Sequence, residues 1–219
     1  MADLPFKGPN DFSLVMKTCI LPEVFVVGPK VPWKMMKELM DYAKANPGKI
    51  RVGHSGIGTV GHLHMADLAY EAKVQFTDVP YSGAAPSIAA VIGGHVEASV
   101  LAVQPAILGN VKAGQMKILA TWNAKRLTEL PDVPTLKEMG YNTMTQGSYY
   151  FLGGPKGMPS EIIDKLYDAF KKGMQTDRYQ KFARDNIYIL DYKGKDDLRK
   201  ELEDNYKFYA EALKKWGLK

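Results

Sequence analysis

The stretch GHSGIGTVGHLHM, residues 53–65, joins a short apolar run to a segment with helical character. Its part Gly56-Ile57-Gly58-Thr59-Val60-Gly61 matches G-x-G-x-x-G, the pattern of dinucleotide-binding folds. Asp78 follows about twenty residues later, near the acid that binds a ribose in such folds. In a dinucleotide site, however, the first glycine directly follows the strand, whereas three residues, Gly-His-Ser, stand between Val52 and Gly56 here. The pattern therefore predicts a turn from a strand into a helix and leaves the nature of the bound anion open.

The backbone of this turn is suited to hold a negative charge. The first N–H groups of a helix have no partner within the helix, and the helix dipole favours an anion there. We expect Ser55, Gly56, Gly58 and Thr59 to present free N–H groups to a carboxylate or a phosphate, and we call residues 55–59 the first lip. A glycine-rich loop that only turns the chain is the alternative.

A second segment of the same kind is DVPYSGAAPSI, residues 78–88. Its small residues allow a ligand to approach the backbone, and its tyrosine and serine add hydroxyl groups. We call residues 81–84, which are Tyr81, Ser82, Gly83 and Ala84, the second lip. If the preceding strands are neighbours and parallel, both lips open at the sheet edge where α/β proteins bind ligands. An ordinary strand-to-helix loop is the alternative.

Strand-like apolar runs alternate with helical patterns along the chain, which predicts an α/β fold with largely parallel strands. Strands are expected at 24–27, 49–52, 73–79, 96–100 and 116–121. Amphipathic helices are expected at 32–45, 59–72, 86–92 and 106–112, and a last one at 196–216.

Composition excludes several classes of protein. The 219 residues carry a net charge of +5, but the basic residues are scattered, so nucleic-acid binding is not expected. One cysteine excludes an intramolecular disulfide. The spacing of the four histidines does not suggest a metal site, since His62 and His64 lie on different faces of a helix. No G-x-S-x-G elbow or other catalytic pattern appears, so neither metal nor cofactor is expected.

Four segments in this order and spacing resemble a known family: YAKANPGKIRVGHSGIGTVGHL, VPYSGAAPSIAAVIGGHVEA, VKAGQMKILATWNAKR and LPDVPTLKEMGY. They are similar to the extracytoplasmic solute receptors of tripartite tricarboxylate transporters, the TctC or Bug-type binding proteins. The resemblance runs from about Asp11 to the end of the chain. It implies a periplasmic binding protein type II-like fold with two α/β lobes, residues 1–26 plus 149–219 and residues 27–148.

The resemblance also implies a function. Such a receptor is not an enzyme: it captures a small organic carboxylate in a cleft between its lobes and delivers it to membrane permease subunits. By position, the ligand-binding residues are those of the two lips together with Tyr149 and Gln104. Gln104 is the nearest polar residue where many relatives carry an acid, which favours a plain carboxylate over an amino acid. Ser82 stands where a lysine or arginine is common, so backbone N–H groups carry more of the binding.

Family members begin with a leader and a further strand, and this sequence starts after that region. We therefore expect a periplasmic location with the leader absent from this chain. We also expect a first lobe that is incomplete at its N-terminal side, which allows a homodimer through that lobe.

Two other functions are compatible with the residues alone. An NAD(P)-dependent oxidoreductase would use Gly56, Gly58 and Gly61 for the pyrophosphate and Asp78 for the ribose. A cytosolic ligand-sensing domain of a transcription regulator would share the two-lobed fold but would need a helix-turn-helix partner.

Overall fold

The computed structural model describes residues 8–218, which divide into two compact units. The first unit contains the residues up to Leu21 and those from Tyr149 onward, and the second unit is Pro22–Ser148. The division therefore lies about five residues before the expected lobe boundary at residue 26, because the strand Glu23–Val27 belongs to the sheet of the second unit. Residues 1–7 and 219 of the expected first lobe lie outside the described residues.

Residues 8–218 contain one 3-10 turn, eight strands and seven α-helices. The strands are β1 (Phe12–Leu21), β2 (Glu23–Val27), β3 (Arg51–His54), β4 (Thr77–Pro80), β5 (Ala98–Ala102), β6 (Lys117–Thr121), β7 (Ser148–Pro155) and β8 (Ile189–Gly194). The helices are α1 (Met36–Ala45), α2 (Val60–Ala72), α3 (Ala84–Gly93), α4 (Pro105–Lys112), α5 (Ser160–Met174), α6 (Asp177–Asp185) and α7 (Lys195–Lys215). In this part of the chain, none of the helices is both long enough and apolar enough to span a bilayer.

The second unit is built on a five-stranded sheet with the order β4-β3-β5-β2-β6. Strand β3 is parallel to both β4 and β5, whereas β2 is antiparallel to β5 and β6. Four of the five strands therefore run in one direction, which confirms the prediction of largely parallel strands. Strand β2 is the exception. Only Pro22 separates it from β1, so the chain enters β2 directly and not through the helical crossover that parallel strands require.

Helices cover both faces of this sheet. Successive residues of a strand point to opposite faces. Ala98 and Val100 of β5 lie in an apolar core with α1 and α2, while Ser99 between them contacts Ser87 of α3 through a buried hydrogen bond of 2.9 Å. Helix α2 approaches β5 so closely that a Cβ atom on Gly61 would lie 2.4 Å from the carbonyl oxygen of Val100. The glycine therefore sets the distance between this helix and the sheet.

Strand β4 is shorter than the sequence predicts. Residues 73–76 were expected in the strand, but α2 ends at Ala72 and Lys73 takes a left-handed conformation with φ 54°. The N–H of Val74 still donates to the carbonyl of Ala69 at 3.0 Å, so these residues complete the end of the helix.

The first unit contains a three-stranded sheet with the order β7-β1-β8, in which β1 and β8 are antiparallel. Lys17 of β1 is almost fully buried, and its ammonium lies 2.9 Å from Asp191 and 2.5 Å from Glu201. A buried ammonium requires such partners, because removing it from water without them costs several kcal/mol. This ion pair ties β1 to β8 and α7.

The contact at Gly61 predicts the effect of adding one methyl group. Gly61→Ala should destabilise the protein by about 1–3 kcal/mol, because either α2 or β5 must move. Gly109→Ala is the matched control in α4, where no described atom lies within 4 Å of the added Cβ. It should stabilise the protein by up to about 1 kcal/mol through helix propensity. Urea unfolding followed by circular dichroism measures both changes, and equal midpoints for the two variants would contradict the packing at Gly61.

Candidate functional site

The two lips lie side by side at one edge of the five-stranded sheet. Strands β3 and β4 are parallel with His54 opposite Pro80, so the first lip and the second lip leave the sheet at the same level. The N–H of Tyr81 donates to the carbonyl of His54 at 3.0 Å. The prediction that both lips open at the same edge of parallel strands is therefore confirmed.

The close approach of these segments depends on a glycine at the end of β3. A Cβ atom on Gly53 would lie 2.6 Å from Oγ of Ser99 and 2.8 Å from Oγ of Ser87. The ring of Tyr81, in the second lip, would be 3.1 Å from the same atom. A side chain at this position would therefore separate β3 from α3, from β5 and from the second lip.

The first lip differs from its prediction in one respect. Three of its N–H groups are occupied: that of Gly56 donates to Nδ1 of His54 and that of Gly58 to Nδ1 of His62, each at 3.2 Å. The N–H and the hydroxyl of Thr59 both donate to the carbonyl of Gly56, at 3.2 and 2.7 Å. The expectation that all these amides are free is therefore wrong, because two histidines compete for them.

Other donors of the first lip remain available. Among residues 8–218, the backbone N–H groups of Ser55 and Ile57 have no protein acceptor, and the Ile57 side chain is 72% exposed. These two residues alternate with the glycines whose amides are occupied. An anion at this lip would therefore contact Ser55 and Ile57 rather than the glycine amides.

The second lip has the free backbone that the sequence predicts. Helix α3 begins after Gly83, whose φ of 134° lies in the region that favours glycine. Within the described chain, no side chain caps this helix and its first turn has no acidic residue. The N–H groups of Ala84 and Ala85 are therefore free, whereas Pro86 has none, and the positive end of the helix dipole lies at this lip.

The two remaining predicted site residues occupy separate places. Gln104 follows β5 at the same sheet edge as the lips and caps α4 with its backbone, since the N–H groups of Ile107 and Leu108 donate to its carbonyl. Tyr149 belongs to β7 of the first unit, where the Lys17 ammonium lies 4.7 Å from its ring centre and the Asn205 amide donates to its hydroxyl at 3.4 Å. The ring of Tyr149 is thus held in place.

The structure also brings together three side chains that the sequence analysis did not combine. Nε2 of His54 lies 2.5 Å from Asp78, and Nε2 of His62 lies 3.5 Å from the other oxygen of the same carboxylate. Both rings are buried, whereas the Asp78 side chain is 40% exposed. Burial and the nearby His54 lower the pKa of His62 against the opposite effect of Asp78. His64, two residues on, instead stacks on Trp122 inside the core.

We call His54, His62 and Asp78 the histidine–aspartate cluster. Its ligand atoms lie within 4.8 Å of one another, close enough to hold a metal ion. However, Nδ1 of His62 accepts the N–H of Gly58, so the proton of the neutral ring lies on Nε2, the atom that faces Asp78. A metal needs a lone pair there. The arrangement favours a hydrogen-bonded cluster over a metal site.

Glu23 is a second residue that sequence analysis missed at this edge. It is opposite Ala102 at the end of β5, and it is 2% exposed. The hydroxyl of Ser148 donates to its Oε1 at 2.6 Å, while its Oε2 has no hydrogen-bond partner in the described chain. Burial raises the pKa of Glu23 to about 7, more than the hydrogen bonds from Ser148 lower it. The sequence feature that could have indicated this residue is an acid at the start of an apolar strand.

The raised pKa of Glu23 predicts a pH-dependent stability. The pKa of Glu23 in the folded protein, about 7, lies above the ordinary value of 4.5. The folded state therefore favours the protonated acid, and this contribution to the free energy of unfolding is complete below pH 4.5 and is lost as the pH rises to 7. Glu23→Gln keeps the acceptor for Ser148 and remains neutral. The variant should match the wild type at pH 4.5 and exceed it at pH 8 by about 3 kcal/mol.

Urea unfolding at the two pH values measures this difference. Glu138→Gln is the control, because Glu138 is exposed and its pKa is lowered by Arg126, so that variant should not gain stability as the pH rises. An advantage of Glu23→Gln that is the same at pH 4.5 and 8 would contradict the buried neutral acid.

The chain matches the sequence model of the family described as "Tripartite tricarboxylate transporter family receptor" over residues 1–218. A Cupriavidus necator protein, "UPF0065 protein in gbd 5'region", is 44% identical over 168 residues, which are 75% of this chain and 50% of that protein. Protein BugT of Bordetella pertussis is 27% identical over 80% of this chain and 54% of its own length. The chain thus spans about half the length of these relatives.

Solved structures show the same fold. A structure described as a periplasmic transporter superposes with a TM-score of 0.89 at 28% identity, covering 97% of this chain and 70% of that one. The periplasmic binding protein BugD gives 0.85 at 26% identity, with 94% and 69% covered. An R. palustris protein solved with adipate gives 0.87 at 26% identity, again with 94% and 69% covered. These likenesses confirm the predicted α/β fold of the periplasmic-binding-protein type.

The oxidoreductase alternative is not supported. In the G-x-G-x-x-G segment, the amides of Gly56 and Gly58 are taken by histidines and are not free for a pyrophosphate. Asp78, the residue proposed for the ribose, binds the same two histidines. The family and the structural neighbours are solute-binding receptors rather than enzymes, and their location is the periplasm. With its match over residues 1–218, this chain belongs to the receptor family of the tripartite tricarboxylate transporters.

Proposed function

We propose that this protein is a non-enzymatic periplasmic receptor that binds a small organic carboxylate at the two lips. It would deliver this ligand to the membrane permease subunits of a tripartite tricarboxylate-type transporter. The observation that carries the proposal is the pair of adjacent helix starts with free N–H groups at one edge of a parallel sheet. A structural neighbour at 26% identity was solved with adipate, a dicarboxylate, which supports this class of ligand.

The donors at this edge suit a carboxylate without a basic side chain. The first lip offers the N–H groups of Ser55 and Ile57, and the second lip offers those at the start of α3. Hydroxyl groups of Ser55, Tyr81 and Ser82 add further donors. Each hydrogen bond to a charged acceptor contributes about 1.5–3 kcal/mol. Several such bonds are sufficient for micromolar binding of a small anion, which requires about 8 kcal/mol.

The proposed ligand-binding residues fall into three groups by what they contribute. Gly56, Gly58 and Thr59 shape the first lip, because their own amides are occupied. Donors come from residues of both lips, and Gln104 adds a neutral amide at the same edge, which does not attract an ammonium group. Tyr149, in β7 of the first unit, stays a predicted ligand-binding residue on the family resemblance alone. The full set is Ser55, Gly56, Gly58, Thr59, Tyr81, Ser82, Gly83, Ala84, Gln104 and Tyr149.

Two expectations about the whole protein remain predictions. The homodimer through the first lobe has no support from residues 8–218. The leader peptide stays an expectation, and the periplasmic location is a property of the family that the chain would share.

A ligand screen tests the proposed function. Isothermal titration with adipate, succinate, citrate, benzoate, alanine and NADH should give binding by at least one of the plain carboxylates. A micromolar ligand at millimolar concentration should also stabilise the protein by about 4 kcal/mol. Strongest binding by NADH or by alanine would overturn the proposal.

A charge placed at the second lip should weaken this binding. Gly83→Asp adds a carboxylate at the start of α3, in open space, and should reduce affinity for the bound acid about tenfold or more through repulsion. Gly114→Asp is the matched control: it also has a positive φ, of 70°, and no described atom lies within 4 Å of its Cβ, but it follows α4 in the loop before β6. Equal affinities of the two variants, measured by titration, would exclude the second lip as the anion site.

A further inference from the structure

The histidine–aspartate cluster connects the two lips through hydrogen bonds. Asp78 lies in β4, two residues before Pro80, and thus on the strand that carries the second lip. His54 ends β3 and His62 lies in the first turn of α2, on either side of the first lip. One carboxylate therefore contacts a residue before and a residue after the first lip.

The proton positions in this cluster follow from its donors and acceptors. A backbone N–H can only donate, so the N–H of Gly58 at 3.2 Å requires a lone pair on Nδ1 of His62. The proton of this neutral ring then lies on Nε2 and points at the Asp78 carboxylate. Burial lowers the pKa of His62, which agrees with a neutral ring.

The same reasoning applies to His54. Its Nε2 is 2.5 Å from an oxygen of Asp78, a distance that requires a proton between the two atoms. Its Nδ1 contacts two backbone groups of Gly56, the carbonyl oxygen at 2.9 Å and the N–H at 3.2 Å. The first contact needs a proton on Nδ1 and the second a lone pair there, so the tautomer of His54 decides which of the two forms. His62 therefore accepts the amide of Gly58, His54 contacts the backbone of Gly56, and both rings face the shared carboxylate.

We propose that Asp78, His54 and His62 are positioning residues that hold the first lip in the conformation in which it binds an anion. Because the amides of Gly56 and Gly58 point at the rings, those of Ser55 and Ile57 stay free for a ligand. The carboxylate also fixes the first lip relative to the strand of the second. This inference rests on the proposed function, since the cluster would act on the same site. Its three side chains would orient the lip without contacting the ligand.

The burial of the cluster supports a positioning role. The two rings are almost fully removed from solvent, so their hydrogen bonds are not exchanged for water. Asp78 is partly exposed, which keeps its charge solvated on one side and its replacement compatible with folding. The polar contacts of the two imidazoles are to the lip glycines and the carboxylate, and their ring centres lie 4.7 Å apart.

Replacing the carboxylate tests the proposal. Asp78→Asn has the same shape, but one carboxylate oxygen becomes an NH₂ group, which is a donor. One of the two rings then faces a donor, so that ring must change its tautomer or its orientation. We expect about tenfold weaker binding of the acid identified in the screen. Asp132→Asn, an exposed acid of the same unit, is the control and should bind as the wild type does. Circular dichroism checks that both variants fold.

Two variants of His62 separate positioning from packing. In His62→Asn the side-chain oxygen stands near the position of Nδ1 and still accepts the N–H of Gly58, whereas His62→Ala removes the acceptor. Binding should therefore be weaker in the alanine variant than in the asparagine variant by about tenfold. Equal loss in both would show that the acceptor for the lip amide does not matter, and would overturn the proposal.

Nitrogen-15 NMR of the histidine rings in the ligand-free protein decides whether the hydrogen-bond arrangement exists, independently of any ligand. At pH 8 the wild type should show His62 protonated on Nε2 and His54 hydrogen-bonded through Nε2 to Asp78. Asp78→Asn should change this pattern and speed hydrogen exchange of the Gly58 amide. Unchanged rings and amides in Asp78→Asn would overturn the proposal, as would micromolar Zn²⁺ binding that Asp78→Asn abolishes. If no acid binds the wild type, the proposed function fails, while these spectra still decide the arrangement.

Discussion

The absence of a side chain at Gly53 is the constraint on which the site depends. Three segments meet at this residue: α3 through Ser87, β5 through Ser99 and the second lip through the ring of Tyr81. Because β3 and β4 are parallel with His54 opposite Pro80, the chain leaves both strands at the same level. The missing side chain thus allows the two lips to lie next to each other where they leave the sheet.

Electrostatics at this edge come mainly from the backbone rather than from basic side chains. Free N–H groups at helix starts provide positive potential at fixed positions, and they do so without the conformational entropy of a lysine or arginine. Their direction then matters more than their number. In the first lip, the protein uses two imidazoles as internal acceptors, so that some amides turn inward and others remain free. The Asp78 carboxylate beside these amides is itself faced by Nε2 of His54 and Nε2 of His62.

Several features could be predicted from the sequence because they are local or repeat along the chain. The alternation of apolar runs and helical periods predicted the α/β class, and glycine-rich turns after apolar runs predicted both lips. The ordered set of family segments identified the receptor family. The contacts among His54, His62 and Asp78 do not follow from spacing within one helix, because His54 and Asp78 are 24 residues apart on two different strands. The partners of Lys17 are farther still, with Glu201 184 residues away.

The sequence by itself determined which segments turn sharply, which strands are buried and which family the chain resembles, because these properties depend on neighbouring residues and on their periodicity. Only the tertiary structure decided which amides are free, because a hydrogen bond between a lip glycine and a histidine requires the strand, the turn and the helix to be folded together. It also decided that Glu23 is buried beside the first turn of α2 with one oxygen unpaired. The amino-acid sequence shows which residues carry donors and acceptors, but their pairing depends on distances that exist only in the folded protein.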